Sequence, residues 1–229
     1  MSESVYMSPE EIFLQKVSQM TPEEAMDTLK QNIVENWWRR YVLGPRYDYS
    51  VKDYEAEWEK AYKAIELLEQ SPGPETLAEL GADYSEDFTP KVITQLWSKL
   101  DEDQRKRVLR SIKRGIALHG LEEFFDALLN TLYSKVSLKD EGGDVLAKQI
   151  LKKAYEFINE KISFDELIDS IAELLAPHLH ADASKLSELF TDVKTLGYYV
   201  NSSDLKKLVT KLFSLASSLW RRPTKTNEY

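Results

Sequence analysis

Residues 102–119 read EDQRKRVLRSIKRGIALH, and their spacing decides the fold class. Val108, Leu109, Ile112 and Ile116 recur in three- and four-residue steps, the period of a helix with one buried face. At about 100° per residue, Lys106, Arg107, Arg110, Lys113 and Arg114 fall together on the opposite side, on an arc about 120° wide. The stretch is therefore an amphipathic helix with a basic face. Asp101 caps its start, with Gln104 placed to reach back.

The same period extends outward in both directions. Met26, Leu29, Ile33 and Trp37 carry it, as do Leu121, Phe125, Leu128 and Leu132, and then Leu205, Leu208, Leu212, Leu215 and Leu219. Ser8-Pro9-Glu10-Glu11, Thr21-Pro22-Glu23-Glu24 and Ser163-Phe164-Asp165-Glu166 read as capping boxes. Stops are expected at Gly44-Pro45, Ser71–Pro74, Gly81, Gly120, Gly142-Gly143, Gly197 and Pro223. No period-two alternation is flanked by hairpin turns. Helices are expected near 9–19, 22–42, 51–70, 75–81, 90–100, 102–119, 121–135, 145–161, 164–176, 183–196 and 203–221. The fold class is all-α: a multi-helix bundle of about 9–11 helices with an N-terminal aromatic-rich helical hairpin, 22–70, packed on the helices of 90–221. Helix content should exceed about 60%. Trp97, Phe124, Phe125, Leu128, Ile150, Leu151, Leu212 and Leu219 are the expected core.

With 229 residues, 42% apolar and 30% charged, the chain can bury a core. It has no cysteine, which excludes disulfide frameworks, cysteine nucleophiles and thiolate metal sites. That lack, the high charge and only 13 Asn plus Gln resemble thermophile usage and suggest an archaeal or viral source. The first thirty residues show no secretory apolar segment, and no stretch reaches the length of a membrane span. An intracellular, cytoplasmic location or a virion is the expectation, with no membrane contact.

The net charge is −9, unevenly spread: residues 1–88 hold 19 acids against 8 bases, whereas 89–229 hold 20 against 22. The stretch 71–89, with two prolines and two glycines, reads as a linker. The expected organisation is thus an acidic hairpin segment 1–70, a linker 71–89, a helical bundle 90–222 and a polar tail 223–229, or one domain in which the acidic hairpin folds onto the bundle.

Two constellations are candidate sites. Trp37, Trp38, Arg39, Arg40 and Tyr41, followed by Arg46 and Tyr47, combine the residue types enriched at protein hot spots. The same rings could knit a helical hairpin core or stack nucleic-acid bases. The basic arc of Lys106, Arg107, Arg110, Lys113 and Arg114 could dock acidic protein, track phosphates, or simply be solvated. Weaker signals give way to local roles. In Pro177-His178-Leu179-His180-Ala181-Asp182 the histidines read as loop residues and Asp182 as the next helix cap; in Asp140–Asp144, Asp144 reads as a cap, not a calcium ligand. No phosphate loop, dinucleotide fingerprint, nucleophile elbow or HExxH occurs, so catalytic, cofactor and metal residues are all none.

These features point to a non-enzymatic helical interaction or assembly protein, an adaptor or structural subunit, using an aromatic and arginine surface and oppositely charged ends. A protein partner or self-association is expected; the alternative is nucleic-acid binding through helix 102–119. The wide apolar face of 203–221 should be central to the bundle or to a partner groove.

Overall fold

The computed structural model describes residues 6–42, 57–84, 86–137 and 142–220, with only the backbone given at 41, 42, 57, 137 and 215–220. Of the described residues 83% are helical, in eleven α-helices and without a strand. The helices are α1 (Pro9–Ser18), α2 (Pro22–Trp37), α3 (Glu57–Gln70), α4 (Pro74–Gly81), α5 (Pro90–Ser98) and α6 (Glu102–Ser137). They continue with α7 (Gly143–Ile158), α8 (Phe164–Leu179), α9 (Ala183–Leu189), α10 (Thr191–Tyr198) and α11 (Ser202–Trp220). The chain forms two compact units, Met1–His119 and Gly120–Tyr229, with their boundary inside α6.

The helix starts follow their sequence signals. Ser8, Thr21 and Ser163 each accept from the amide three residues on, and Glu11, Glu24 and Glu166 reach back. Asp101 and Gln104 exchange the same pair of bonds, at 2.9 and 2.8 Å.

In the first unit α2 packs on α4 and α5, α4 on α5, and α1 on α5. Leu29, Ile33, Trp37, Leu77, Ile93 and Leu96 are among the fully buried side chains. The stretch 71–89, expected to be a linker, carries α4, whose Thr76, Leu77, Ala78 and Leu80 are buried. Gly81 ends that helix against α2, where a Cβ would stand 2.6 Å from Ile33 Cα. Lys99 closes the end of α1 by donating to the Ser18 and Met20 carbonyls, a cation placed where the helix dipole is negative.

In the second unit α7 packs on α8 and α11, and α8 on α9 and α10. A chain of edge-to-face rings, Phe190–Phe124–Phe125–Phe164–Phe157, runs through its core with centroids 5.2 to 6.5 Å apart. Gly197 lets α10 approach this chain; a Cβ there would meet the Phe164 ring at 2.5 Å. Phe124, Phe125, Leu128, Ile150 and Leu212 are buried as expected, and so is Trp97 of the first unit; Leu151 is half-buried, and the Leu219 side chain lies outside the described set. On α11 the buried line is Leu205, Val209 and Leu212, with Leu208 and Phe213 half-buried at its edges.

Several boundaries differ from expectation. Gly120 does not stop a helix: α6 runs straight through it. A glycine stop uses a left-handed backbone, and among the described glycines only Gly142 has positive φ, at 78°. The apolar stripe instead continues from Ile116 through Leu121 and Phe124, whose burial outweighs a cost of about 1 kcal/mol for an interior glycine. Gly197 likewise lies inside α10. The single helix expected over 183–196 is two, α9 and α10, meeting at Phe190. Helix α8 passes Pro177 and ends at His180, which takes the left-handed conformation at φ 53°. Gly142 is the N-cap of α7, so Asp144 sits in the first turn, not at the cap. Asp182 does cap α9, accepting from the Ser184 amide at 2.7 Å.

Candidate interaction surface

The aromatic and arginine block divides: Trp37 is buried, Trp38 half-buried, and Arg39 and Arg40 exposed. Trp37 is 1% exposed and belongs to the core, so its ring is not offered to a partner. Past Trp37 the helix widens into a π-helical turn, Trp38–Val42. Trp38 stacks on His119 at 4.5 Å and 25°. Adjacent tryptophans on one helix cannot share one face, and here each has found its own contact. Arg39 pairs with Glu35 one turn back. Arg40 donates to the Glu79 carbonyl at 3.2 Å and lies 5.5 Å from the Tyr84 ring centre. The Tyr41 side chain, Arg46 and Tyr47 lie outside the described residues.

The basic face of α6 is, by contrast, open. Lys106, Arg107, Arg110 and Arg114 are exposed, and Lys113 is half-buried. Glu69 of α3 takes Lys113 at 2.9 Å, and Glu102 of the same helix lies 3.5 Å from Lys106. Arg107 and Arg110 make no hydrogen bond or ion pair with another described residue. Val108, Ile112 and Ile116 beneath the face are 1% exposed or less, so the arginines project from a fixed wall. Neighbouring Arg105 is turned inward, its Nε and Nη2 both donating to the Trp97 carbonyl at 3.3 Å and its guanidinium lying 5.1 Å from the Trp97 ring.

The charge division moves once the compact units are known. Residues 1–119 carry 22 acids and 16 bases, net −6, and residues 120–229 carry 17 and 14, net −3. The acid-rich segment and the bases of 89–119 therefore belong to one unit, and divided this way the two units are both net negative. Exposed Glu23, Glu24 and Asp27 at the start of α2 supply acid within the same unit as the basic arc.

His178 lies in the last turn of α8, its carbonyl facing Lys135 Nζ at 3.4 Å, while His180 and Asp182 serve a helix end and a helix start. Among the described residues no group of three or more His, Asp or Glu could hold a metal ion. Ser184 hydrogen bonds hold the Asp182 carboxyl below its ordinary range, and Lys206 does the same for Glu160. Among the described residues no helix is long and apolar enough to cross a membrane.

Comparison with protein-family models, curated proteins and solved structures found no match. A second basic surface, absent from the sequence expectations, lies on α7 and α11, where Lys148, Lys152, Lys207 and Lys211 are exposed. Its lysines are spread over two helices; their sequence signals are the pairs Lys152-Lys153 and Lys206-Lys207 and the four-residue spacing of Lys148 with Lys152 and of Lys207 with Lys211.

Proposed function

We propose that this protein is a non-enzymatic helical interaction and assembly protein whose docking surface is the basic face of α6. The observation that carries the reading is the pair Arg107 and Arg110, exposed on a rigid helix and left without an acid by the described residues around them. Guanidinium forks suit carboxylates, and a carboxylate from an acidic helix of this chain, Glu69 of α3, already pairs with the ammonium of Lys113 on the same face. The ligand class is therefore an acidic helical protein surface. The start of α2 in a second copy, with Glu23, Glu24 and Asp27, offers one of complementary sign. A contact between two different patches is heterologous, and it builds rings or filaments according to whether it closes.

The phosphate-tracking alternative for this same face has four exposed bases in its favour. Against it stand the acids Asp101, Glu102 and Asp103 at the head of the helix and an arc that carries no aromatic residue on which a base could stack. The test is sedimentation of the purified chain at low and high salt, with Arg107→Glu/Arg110→Glu beside it. Salt-sensitive association that the double reversal abolishes supports the reading. A monomer under every condition removes the self-assembling form.

A further inference from the structure

We infer that the adjoining outer faces of α7 and α11 bind the phosphate backbone of a single-stranded nucleic acid. This goes beyond the α6 reading and uses the other compact unit. The two helices run antiparallel: Lys206 pairs with Glu160 at one end, and the Tyr155 ring lies 6.5 Å from Phe213 further along. On α7, Lys148, Lys152 and Tyr155 follow one another at helical spacing, all exposed, Tyr155 by 53%. On α11, Ser203, Lys206, Lys207, Thr210, Lys211 and Ser214 share one outward face.

Lys206 is taken by Glu160, but Lys148, Lys152, Lys207 and Lys211 make no ion pair with any described residue. Acids on these two helices are already engaged or lie at their ends: Glu156 pairs with Lys153 and Glu160 with Lys206. Asp144 stands one turn before Lys148, and Glu122 and Asp126 share a small pocket with Lys211 on the side facing α6.

The chemistry of the surface selects among anionic partners. Ammonium groups bind phosphate as point charges, and hydroxyls between them can donate to phosphate oxygens. An exposed ring among cations is the sequence-tolerant platform on which a base stacks. A duplex presents no free base faces to such a ring. A lipid surface calls for a continuous apolar ridge, whereas the large apolar residues exposed on the described part of α7 are two, Val145 and Tyr155, set nearly three turns apart with Lys148 and Lys152 between them.

The experiment is fluorescence anisotropy of the full chain with labelled single-stranded DNA and RNA oligonucleotides over a salt series. Four contacts predict a log–log salt slope of about −3, since each phosphate on a single strand contributes about −0.7. Lys207→Gln/Lys211→Gln should bring the slope to about −1.4. Tyr155→Ala should lower affinity about fivefold or more with the slope unchanged. Circular dichroism checks that each variant retains its helices. Arg107→Glu/Arg110→Glu should leave this binding intact, which separates it from the α6 proposal. Absence of binding at low salt, a slope unmoved by the lysine pair, equal competition by polyglutamate, or loss only in the α6 variant would each overturn the inference.

Discussion

Gly81→Ala tests the closest helix contact in the first unit. A methyl at this position would stand 2.6 Å from Ile33 Cα and 2.8 Å from Ile33 O. Both are backbone atoms of a helix whose Ile33 side chain is fully buried, so neither can step aside as a side-chain tip could. Relief requires α4 to withdraw from α2, which also stretches the 2.9 Å bond from Asn36 Nδ2 to the Gly81 carbonyl. Overpacking of this kind costs about 1–3 kcal/mol, and the better helix propensity of alanine returns at most about 1. A net loss of about 1–2 kcal/mol follows, or about 0.5–1 M in urea midpoint at a slope near 2 kcal/mol/M. The assay is urea unfolding followed by tryptophan fluorescence, because Trp37, Trp38, Trp58 and Trp97 all lie in this unit. Gly115→Ala is the matched control: its methyl would meet only Val34 side-chain carbons, at 3.0 and 3.3 Å, and should change stability by less than about 1 kcal/mol. Wild-type stability in Gly81→Ala, or an equal loss in both variants, would refute the argument from backbone contact.

Leu212→Ala removes a side chain only 3% exposed between α11 and the rest of its unit, and should cost about 2–5 kcal/mol in chemical denaturation. Ser163→Ala deletes half of the α8 capping box and should cost about 1 kcal/mol by the same measurement. The Tyr198 hydroxyl donates to Asp165 at 2.7 Å, and that hydrogen bond, then the carboxylate charge, pushes the phenol above its ordinary pKa. Because the folded value is the higher one, this contact stabilises the fold below the unfolded tyrosine pKa and is lost as pH rises through the folded value. Ultraviolet titration should find one tyrosine ionising late, and Asp165→Asn should return it to the ordinary range.

Fold class was legible because helical period and capping chemistry are local. Ser8, Thr21 and Ser163 announced their helices through residues three positions away, and those bonds are present. Gly120 was misread because a glycine stop depends on backbone conformation, which composition does not carry; burial of the continuing stripe decided it. The stretch 71–89 looked like a linker because prolines and glycines punctuate it, yet its short apolar run is buried against α2 and α5. Trp37 and Arg107 illustrate the same limit in the candidate sites. Hot-spot residue types and a solvated basic arc look alike in a sequence until burial is known. Trp37 is core; Arg107 is exposed.

The central claim is that the α6 basic face is the docking surface, and sedimentation velocity of wild type and Arg107→Glu/Arg110→Glu at low and high salt tests it most directly. The wild-type chain should associate at low salt and dissociate as ions screen the contact, while the double variant stays monomeric in both with unchanged helix content. Identical sedimentation of the two proteins across the salt range would contradict the claim.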